Sequence, residues 1–202
     1  MNFFILASSL ALAVFLSIRF RSHSNQQKKI EEAYWDKERK ANFIRKKSLD
    51  DLAYITIPES ILSMSPVNIT PTIESYLQDL RALSKVPIVN LTGISNTDLK
   101  LTYGTANITI LSDYDFHYTN LVTVLQKLAQ NLADVEETAL AIEALEFAVS
   151  TGTDISKTYY LLASLYQKTN TPGKIEFLIQ RAESIPSIMK DSIVHNLKAS
   201  GL

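Results

Sequence analysis

Residues 159–186 have the sequence YYLLASLYQKTNTPGKIEFLIQRAESIP, and residues 125–152 have the sequence LQKLAQNLADVEETALAIEALEFAVSTG. The two stretches lie 34 residues apart and carry side chains of similar size at equivalent positions. The equivalent positions are Leu125, Leu128, Ala129, Leu132, Ala141, Leu145 and Ala148, then Tyr159, Leu162, Ala163, Tyr166, Ile175, Ile179 and Ala182. A period of this length with two helices per unit is typical of a solenoid, in which each unit buries its apolar face against the next. The pattern therefore predicts an all-α domain of stacked helix pairs.

This order of bulky, small and aromatic positions resembles tetratricopeptide repeats. The second stretch follows the family pattern closely up to Pro186, with Ile175 in place of the usual small residue. The first stretch is more diverged, because Leu125 and Leu132 stand where aromatic residues are usual. A generic helical bundle also spaces Leu and Ala in this way, but the common offset favours repeats. The resemblance implies repeats at about 119–152 and 153–186 and a capping helix at about 187–201.

In the tetratricopeptide family the first helix of each unit lines a concave face that holds other proteins. The resemblance carries this role to one set of positions on the two first helices. They are Gln126, Gln130, Lys157, Tyr160, Ser164, Gln167 and Lys168. The implied partner-binding groove is mostly polar and mildly basic, and its protein partner is not identified by the sequence.

Local signals predict further helices before the repeats. A helix over 71–84 is predicted to open the helical domain, which spans 71–202. Its apolar stripe consists of Ile73, Leu77, Leu80 and Leu83. Within 86–115, Ser95 followed by Asp98 resembles a capping box, and Gly104 suits a helix end. Short helices and a tucked-in loop both fit that region.

Cap signals also divide the repeats into helices. Asp134 and Asp154 are predicted N-caps, and Gly152 is predicted to hold a left-handed helix end. The last helix is predicted from about residue 187 to residue 199. Its inward residues are predicted to be Ile188, Ile193 and Leu197.

The N-terminal run of residues 3–18, FFILASSLALAVFLSI, carries no charge. As a helix it approaches the lower limit of about 17 residues for crossing a bilayer. No basic residue precedes the run in this sequence, which favours an uncleaved anchor over residues 1–21 rather than a cleaved signal. Basic residues near a span tend to stay in the cytoplasm. Those nearest this run are Arg19, Arg21, Lys28 and Lys29, which predicts a single-pass cell-membrane protein with its N-terminus outside and its helical domain cytoplasmic. This plain topology favours a bacterial source.

Charge is unevenly distributed along the chain. Residues 19–47 hold ten Lys and Arg against four acidic residues, whereas the chain after residue 47 holds ten against seventeen. Residues 22–70 are therefore predicted to form a charged juxtamembrane stalk and linker, with one helix over 28–47. Ile30, Tyr34, Trp35 and Phe43 suit the headgroup region of a bilayer, where lysines meet anionic lipid. A solvated stalk that only sets topology fits the same residues equally well.

Composition argues against the common catalytic chemistries. The chain has no cysteine, only five glycines, and three histidines that lie far apart, at His23, His117 and His195. Thiolate chemistry is therefore excluded, and neither a phosphate-binding glycine loop nor a metal-ligand pattern is present. We expect no enzyme, no catalytic residues, no metal and no cofactor. Nucleic-acid binding is not expected either, because acids interleave the basic stalk and lipid is the nearer polyanion.

Together these patterns predict a membrane-anchored helical-repeat protein that acts as an adaptor or scaffold for other proteins on the cytoplasmic face. The alternative is a structural or assembly subunit of a membrane complex, in which the repeats only pack and bind no separate client.

Overall fold

The computed structural model describes residue 19 and residues 26–199. In that part of the chain the regular structure is helical, and the β features amount to one isolated bridge between Tyr54 and Val89. The helices are α1 (residues 26–42), α2 (Glu59–Leu62), α3 (Pro71–Leu83), α4 (Asn96–Tyr103), α5 (Ile108–Asp134), α6 (Thr138–Ser150), α7 (Ser156–Lys168), α8 (Gly173–Glu183) and α9 (Lys190–Ala199). The all-α prediction is confirmed.

Among the helices of residues 26–199, none combines the length and the apolar character needed to cross a bilayer. The predicted anchor at residues 3–18 lies outside the described residues, and so does Arg21.

The chain divides into two compact units. The first comprises Met1–Lys47 and Ser95–Ile108, and the second comprises Ser48–Ile94 and Thr109–Leu202. This division differs from the sequence-based boundary at residue 70. The reason is that residues 48–70 contribute core side chains to the second unit, among them the buried Ile57, Ile61 and Met64.

In the first unit, α4 has the boundaries that its capping signals indicate. The Ser95 side chain accepts a hydrogen bond from the Asp98 backbone N–H at 3.2 Å. The helix ends at Gly104, whose φ of 88° suits glycine. A Cβ there would also lie 2.3 Å from the Arg45 carbonyl oxygen. Within the region left open, residues 86–95 are not helical, Asn96–Tyr103 forms a short helix, and the chain from Ile108 belongs to α5, which begins earlier than the predicted repeat start at about 119.

Polar pairs hold α1 against α4. The Glu38 carboxylate accepts hydrogen bonds from the Lys100 ammonium and from Thr97 Oγ1, the latter at 2.6 Å. The Lys37 ammonium lies 2.6 Å from Asp98 Oδ1. The bonds from Lys100 and Thr97 lower the pKa of Glu38, and the bond from Lys37 lowers the pKa of Asp98.

The charged helix is shorter than its sequence indicates, because α1 ends at residue 42 instead of 47. Beyond it the backbone pairs with the end of α4. The Lys47 N–H donates to the Tyr103 carbonyl at 3.0 Å, and Asn107 Nδ2 donates to the Lys47 carbonyl at 2.8 Å. Residues 43–47 therefore lie outside the helix and bring the Lys47 backbone against Tyr103 and Asn107.

In the second unit, one cluster of buried apolar residues includes the inward faces of α3 and of α5 to α9. Successive helices from α6 to α9 pack against one another. All five alanines that the repeat pattern places at close helix contacts are buried: Ala129, Ala141, Ala148, Ala163 and Ala182. Small side chains at these points allow the helices to approach without overpacking.

Two of the predicted helix caps are wrong. Asp134 is the last residue of α5, where its carboxylate accepts a hydrogen bond from Gln130 Nε2. Asp154 Oδ2 accepts from the Ser187 hydroxyl, and α7 starts without a side-chain cap. The glycine prediction is confirmed, because Gly152 follows α6 with a φ of 80°.

The start of α9 also differs from the prediction. The helix begins at Lys190, so Ile188 lies in the preceding turn and is 98% exposed, contrary to its predicted inward position. The turn is stabilised by the Met189 N–H, which donates to Ser187 Oγ at 3.2 Å. Ile193 and Leu197 are buried, as predicted.

Candidate partner-binding surfaces

The predicted groove residues lie on two helices and are mostly exposed. Gln126 and Gln130 are on α5, and the other five are on α7. Tyr160 is half-buried, and its hydroxyl oxygen accepts a hydrogen bond from Asn196 Nδ2 of α9 at 2.8 Å. α9 therefore already contacts one member of the set. None of the seven lines either of the two cavities described next.

A different groove is formed by α6, α7 and α8, and we call it the α6–α8 groove. It encloses about 460 Å³. Its apolar floor includes Val149, Leu162 and Leu178, all of which are buried. Its polar and aromatic rim includes Glu146, Ser150, Tyr166, Lys174, Phe177 and Arg181. An apolar floor with a few polar groups at its edge is typical of a binding site for another molecule.

One side of this groove is fixed by a small polar network. Glu146 Oε1 accepts a hydrogen bond from the Tyr166 hydroxyl at 2.7 Å and lies 2.8 Å from the Lys174 ammonium. The ammonium also lies 5.2 Å from the centroid of the Tyr166 ring. Partial burial opposes ionisation of Glu146, but the bonds from Lys174 and Tyr166 prevail and lower its pKa. Burial and the bond to the carboxylate raise the pKa of Tyr166. This network keeps Glu146 ionised and paired at neutral pH.

The other side of the groove carries an aromatic ring and a cation. Phe177 is 56% exposed, and the Arg181 guanidinium carbon lies 5.2 Å from the centroid of its ring. Both residues project from α8 four residues apart, which puts them on the same face of the helix. Because the Glu146 charge is matched by Lys174, the Arg181 charge gives the rim a positive excess.

A second cavity lies between α3 and α5 and encloses about 530 Å³. Its lining is more polar and includes Tyr76, Asp79, His117, Asn120, Thr123 and Lys127. His117 Nδ1 is 2.8 Å from the Pro87 carbonyl oxygen, so the ring is held by the backbone. Within the described residues, 19 and 26–199, no group of three His, Asp or Glu side chains could hold a metal ion.

Of the basic residues predicted to lie near a membrane, those that the structure describes are exposed: Arg19, Lys28 and Lys29. Lys28 and Lys29 belong to the first turn of α1. Farther along the helix, the exposed rings of Tyr34 and Trp35 pack edge to face with centroids 5.3 Å apart.

Sequence reasoning missed the α6–α8 groove, although a usable signal was present. Lys174, Phe177 and Arg181 are spaced by three and four residues, which defines one stripe on α8. The buried stripe of the same helix contains Ile175 and Ile179. An aromatic residue between two cations, outside the buried stripe, indicates a surface with a role beyond packing.

Comparison of the chain with models of protein families, with curated proteins and with solved structures finds no match. Function is therefore inferred from these surfaces alone.

Proposed function

We propose that this chain is a membrane-anchored protein of tetratricopeptide-like helical repeats that serves as an adaptor, holding a partner protein at the cytoplasmic face. The observation that carries the proposal is the α6–α8 groove, with its apolar floor and the exposed Phe177 and Arg181 at its rim. Aromatic residues and arginine are enriched at the centres of protein–protein interfaces. An apolar floor edged by a few polar groups favours binding as the activity of this groove.

The repeat assignment is supported by the recurrence of helix ends. α5 and α7 end at Asp134 and Lys168, which are 34 residues apart, the same offset as in the apolar pattern. The helices that follow them, α6 and α8, end at Ser150 and Glu183, within one residue of that offset. Each of these pairs would be one repeat, and α9, whose outer face is polar, would cap the stack.

The chemistry of the groove suggests what the partner presents. An apolar side chain would rest on Leu162 and Leu178 beside the Phe177 ring. An acidic group next to it would pair with Arg181, whose planar guanidinium can donate two hydrogen bonds to one carboxylate. We therefore favour a partner segment that combines one bulky apolar residue with a neighbouring carboxylate.

A second candidate is an assembly subunit whose repeats only pack. It is favoured by the bond between Asn196 and Tyr160, because part of the predicted groove is thereby engaged within the chain itself. This role needs no separate client.

Site-specific photo-crosslinking in the full-length membrane-bound chain tests these roles. A photoreactive amino acid is placed at Phe177 in the α6–α8 groove, at Ser164 in the predicted groove, and at Lys85 as a control. We expect the probe at position 177 to give one discrete crosslinked partner. A probe at Ser150, at the rim of the same groove, should no longer capture that partner in a F177A/R181A variant. Crosslinks from position 164 alone would move the site to the predicted groove, and none from either position would favour the packing role.

Charge reversal gives a matched comparison. We expect R181E to weaken partner retention at least about tenfold, because the like charge faces the partner carboxylate. K157E/K168E tests the predicted groove, and K85E/K190E controls for the change in net charge. Orientation has its own assay: protease added outside intact cells should leave residues 22–202 uncleaved.

A further inference from the structure

We propose that the N-terminal half of α1 lies on the surface of an anionic phospholipid bilayer, with Ile30, Tyr34 and Trp35 among the headgroups. This inference rests on the proposed anchor at residues 3–18. It assigns a ligand to a face of α1 that the other elements of the first unit leave partly exposed.

The first observation is an apolar face that is covered at only one end. Ile30, Tyr34 and Ala41 are spaced by four and seven residues, so they share one side of α1. Ala41 is fully buried, and its carbonyl accepts a hydrogen bond from Thr105 Oγ1 at 3.1 Å. Ile30 and Tyr34 are 69% and 53% exposed. The elements of the first unit therefore cover the C-terminal end of this face and leave its N-terminal end to another occupant.

The second observation is the type of residue at the open end. Tyr34 and Trp35, which is 51% exposed, pack edge to face beside Ile30. Tyrosine and tryptophan have an apolar ring and one polar group, and they concentrate at the boundary between lipid and water for that reason.

The third observation is charge. Two of the four acidic residues of α1 are matched within the unit, Asp36 by Arg39 and Glu38 by Lys100. Lys28 and Lys29 remain exposed near the open end of the face, and so do Glu31 and Glu32, so the positive excess belongs to residues 19–47 as a whole. With ten basic and four acidic residues in 19–47, this region complements an anionic leaflet.

The fourth observation is reach. Ile30 follows the uncharged run of residues 3–18 by twelve residues, which span at most about 43 Å even when extended. If that run is inserted, α1 stays close to the bilayer. Lipid is then present at high local concentration around the open face of α1. A soluble partner would not be concentrated there in this way.

Trp35 allows a direct test, because it is the only tryptophan of the chain. The full chain is reconstituted into phosphatidylcholine vesicles with or without phosphatidylglycerol. Emission of Trp35 is measured with lipids brominated either near the headgroup or near the chain ends. We expect a blue-shifted emission, quenched mainly by the headgroup-proximal bromines, with stronger quenching when phosphatidylglycerol is present.

Variants separate the contributions. K28E/K29E should remove the phosphatidylglycerol-dependent part of the quenching, and I30S/Y34S should remove most of the total. K40E/K46E, which makes the same change in net charge farther along the chain, should leave most of the quenching intact. Circular dichroism of each variant confirms that its helices are retained.

Vesicle flotation at high salt and alkaline pH reports on the anchor independently. A chain that does not float refutes the anchor and with it the proposed membrane role. A chain that floats but shows water-like, unquenched Trp35 emission overturns only the lipid contact of α1. Blue-shifted emission that no brominated lipid quenches, and that increases with the ratio of protein to lipid, also overturns the lipid contact. It would assign this face of α1 to a second copy of the chain.

Discussion

Glu136 and Asn170 lie 34 residues apart, and each holds a left-handed backbone two residues after the last residue of a helix, with φ of 66° and 55°. They close α5 and α7 in the same way. In both turns the next residue's N–H donates, at 2.8 Å, to a carbonyl in the last turn of the preceding helix. The 34-residue offset that relates the two apolar patterns therefore also relates the backbone conformations of the two turns.

Glycine at these two positions should stabilise the second unit by different amounts. Left-handed backbone is strained for Glu, whereas Asn tolerates it. We expect E136G to raise the free energy of unfolding by about 0.5–1 kcal/mol and N170G to change it less, because glycine removes the strain but is more flexible when unfolded. Denaturant unfolding of the full chain in detergent measures both. Q180G, in the exposed interior of α8, serves as control and should lower stability by up to about 1 kcal/mol.

A loss of stability in E136G comparable to that in Q180G would contradict this account of the turn. It would mean that residue 136 relaxes out of the left-handed region in solution.

Helix positions were predictable because their causes are local. α4 follows from Ser95, Asp98 and Gly104, which satisfy each helix end within a few residues. The end of α6 at Gly152 has the same kind of cause. Periodic apolar stripes likewise depend only on residues three and four apart, so the buried faces could be derived without knowing what covers them.

The failures have non-local causes. Asp154 looks like a cap, but its carboxylate is engaged by Ser187, 33 residues away. The second unit includes residues 48–70 because Ile57 and Ile61 find partners in its core, and a linker-like composition does not reveal those partners. The α6–α8 groove depends on how three helices come together, whereas the sequence shows only one stripe at a time.

The alanines of the repeat pattern make a second prediction. Ala182 is fully buried on α8, whereas Ala139 is exposed on α6. We expect A182L to lower the free energy of unfolding by about 1–3 kcal/mol, because added methylenes overpack the contact. A139L should change it by no more than about 0.5 kcal/mol. Chemical unfolding of both variants measures the difference, and equal effects would mean that helices do not meet closely at Ala182.

Two buried threonines at the start of α7 should respond in opposite ways to the same substitution. Thr158 and Thr153 are both fully buried. Thr158 Oγ1 has no hydrogen-bond partner among the described residues, whereas Thr153 Oγ1 accepts from the Ile155 N–H at 3.2 Å. Valine has the shape of threonine without the hydroxyl. T158V should therefore raise stability by about 1 kcal/mol, and T153V should lower it by a similar amount.

Thermal and denaturant unfolding of the two valine variants give the test. If T158V is destabilised as much as T153V, the Thr158 hydroxyl has a partner, such as a bound water molecule, and its burial carries no penalty.

The pairing of α1 with α4 should weaken in acid. The bonds from Lys100 and Thr97 hold the pKa of Glu38 below its ordinary value of about 4.3. A carboxyl whose pKa is lower in the folded state binds a proton more readily when unfolded. Its stabilising effect is therefore complete above about pH 4.3 and is lost as the pH falls through the lowered folded value. The pKa of Asp98 is lowered in the same direction, chiefly by Lys37, so both pairs should weaken over the same range of pH.

Hydrogen exchange of the α4 amides, expressed as protection factors to remove the intrinsic effect of pH, measures this loss. We expect protection in the wild type to fall as the pH drops below about 4.3 and on through the lowered pKa values of Glu38 and Asp98. E38Q should show reduced protection already at neutral pH and a smaller further decrease in acid, because the glutamine carbonyl can still accept from Lys100 but carries no charge and does not titrate. E32Q, an exposed change on the same helix, should follow the wild type. If E38Q matched the wild type at every pH, the contact between Glu38 and Lys100 would not hold the two helices together, and their contact would have to depend on the Lys37–Asp98 pair and on the burial of Ala41 and Leu99.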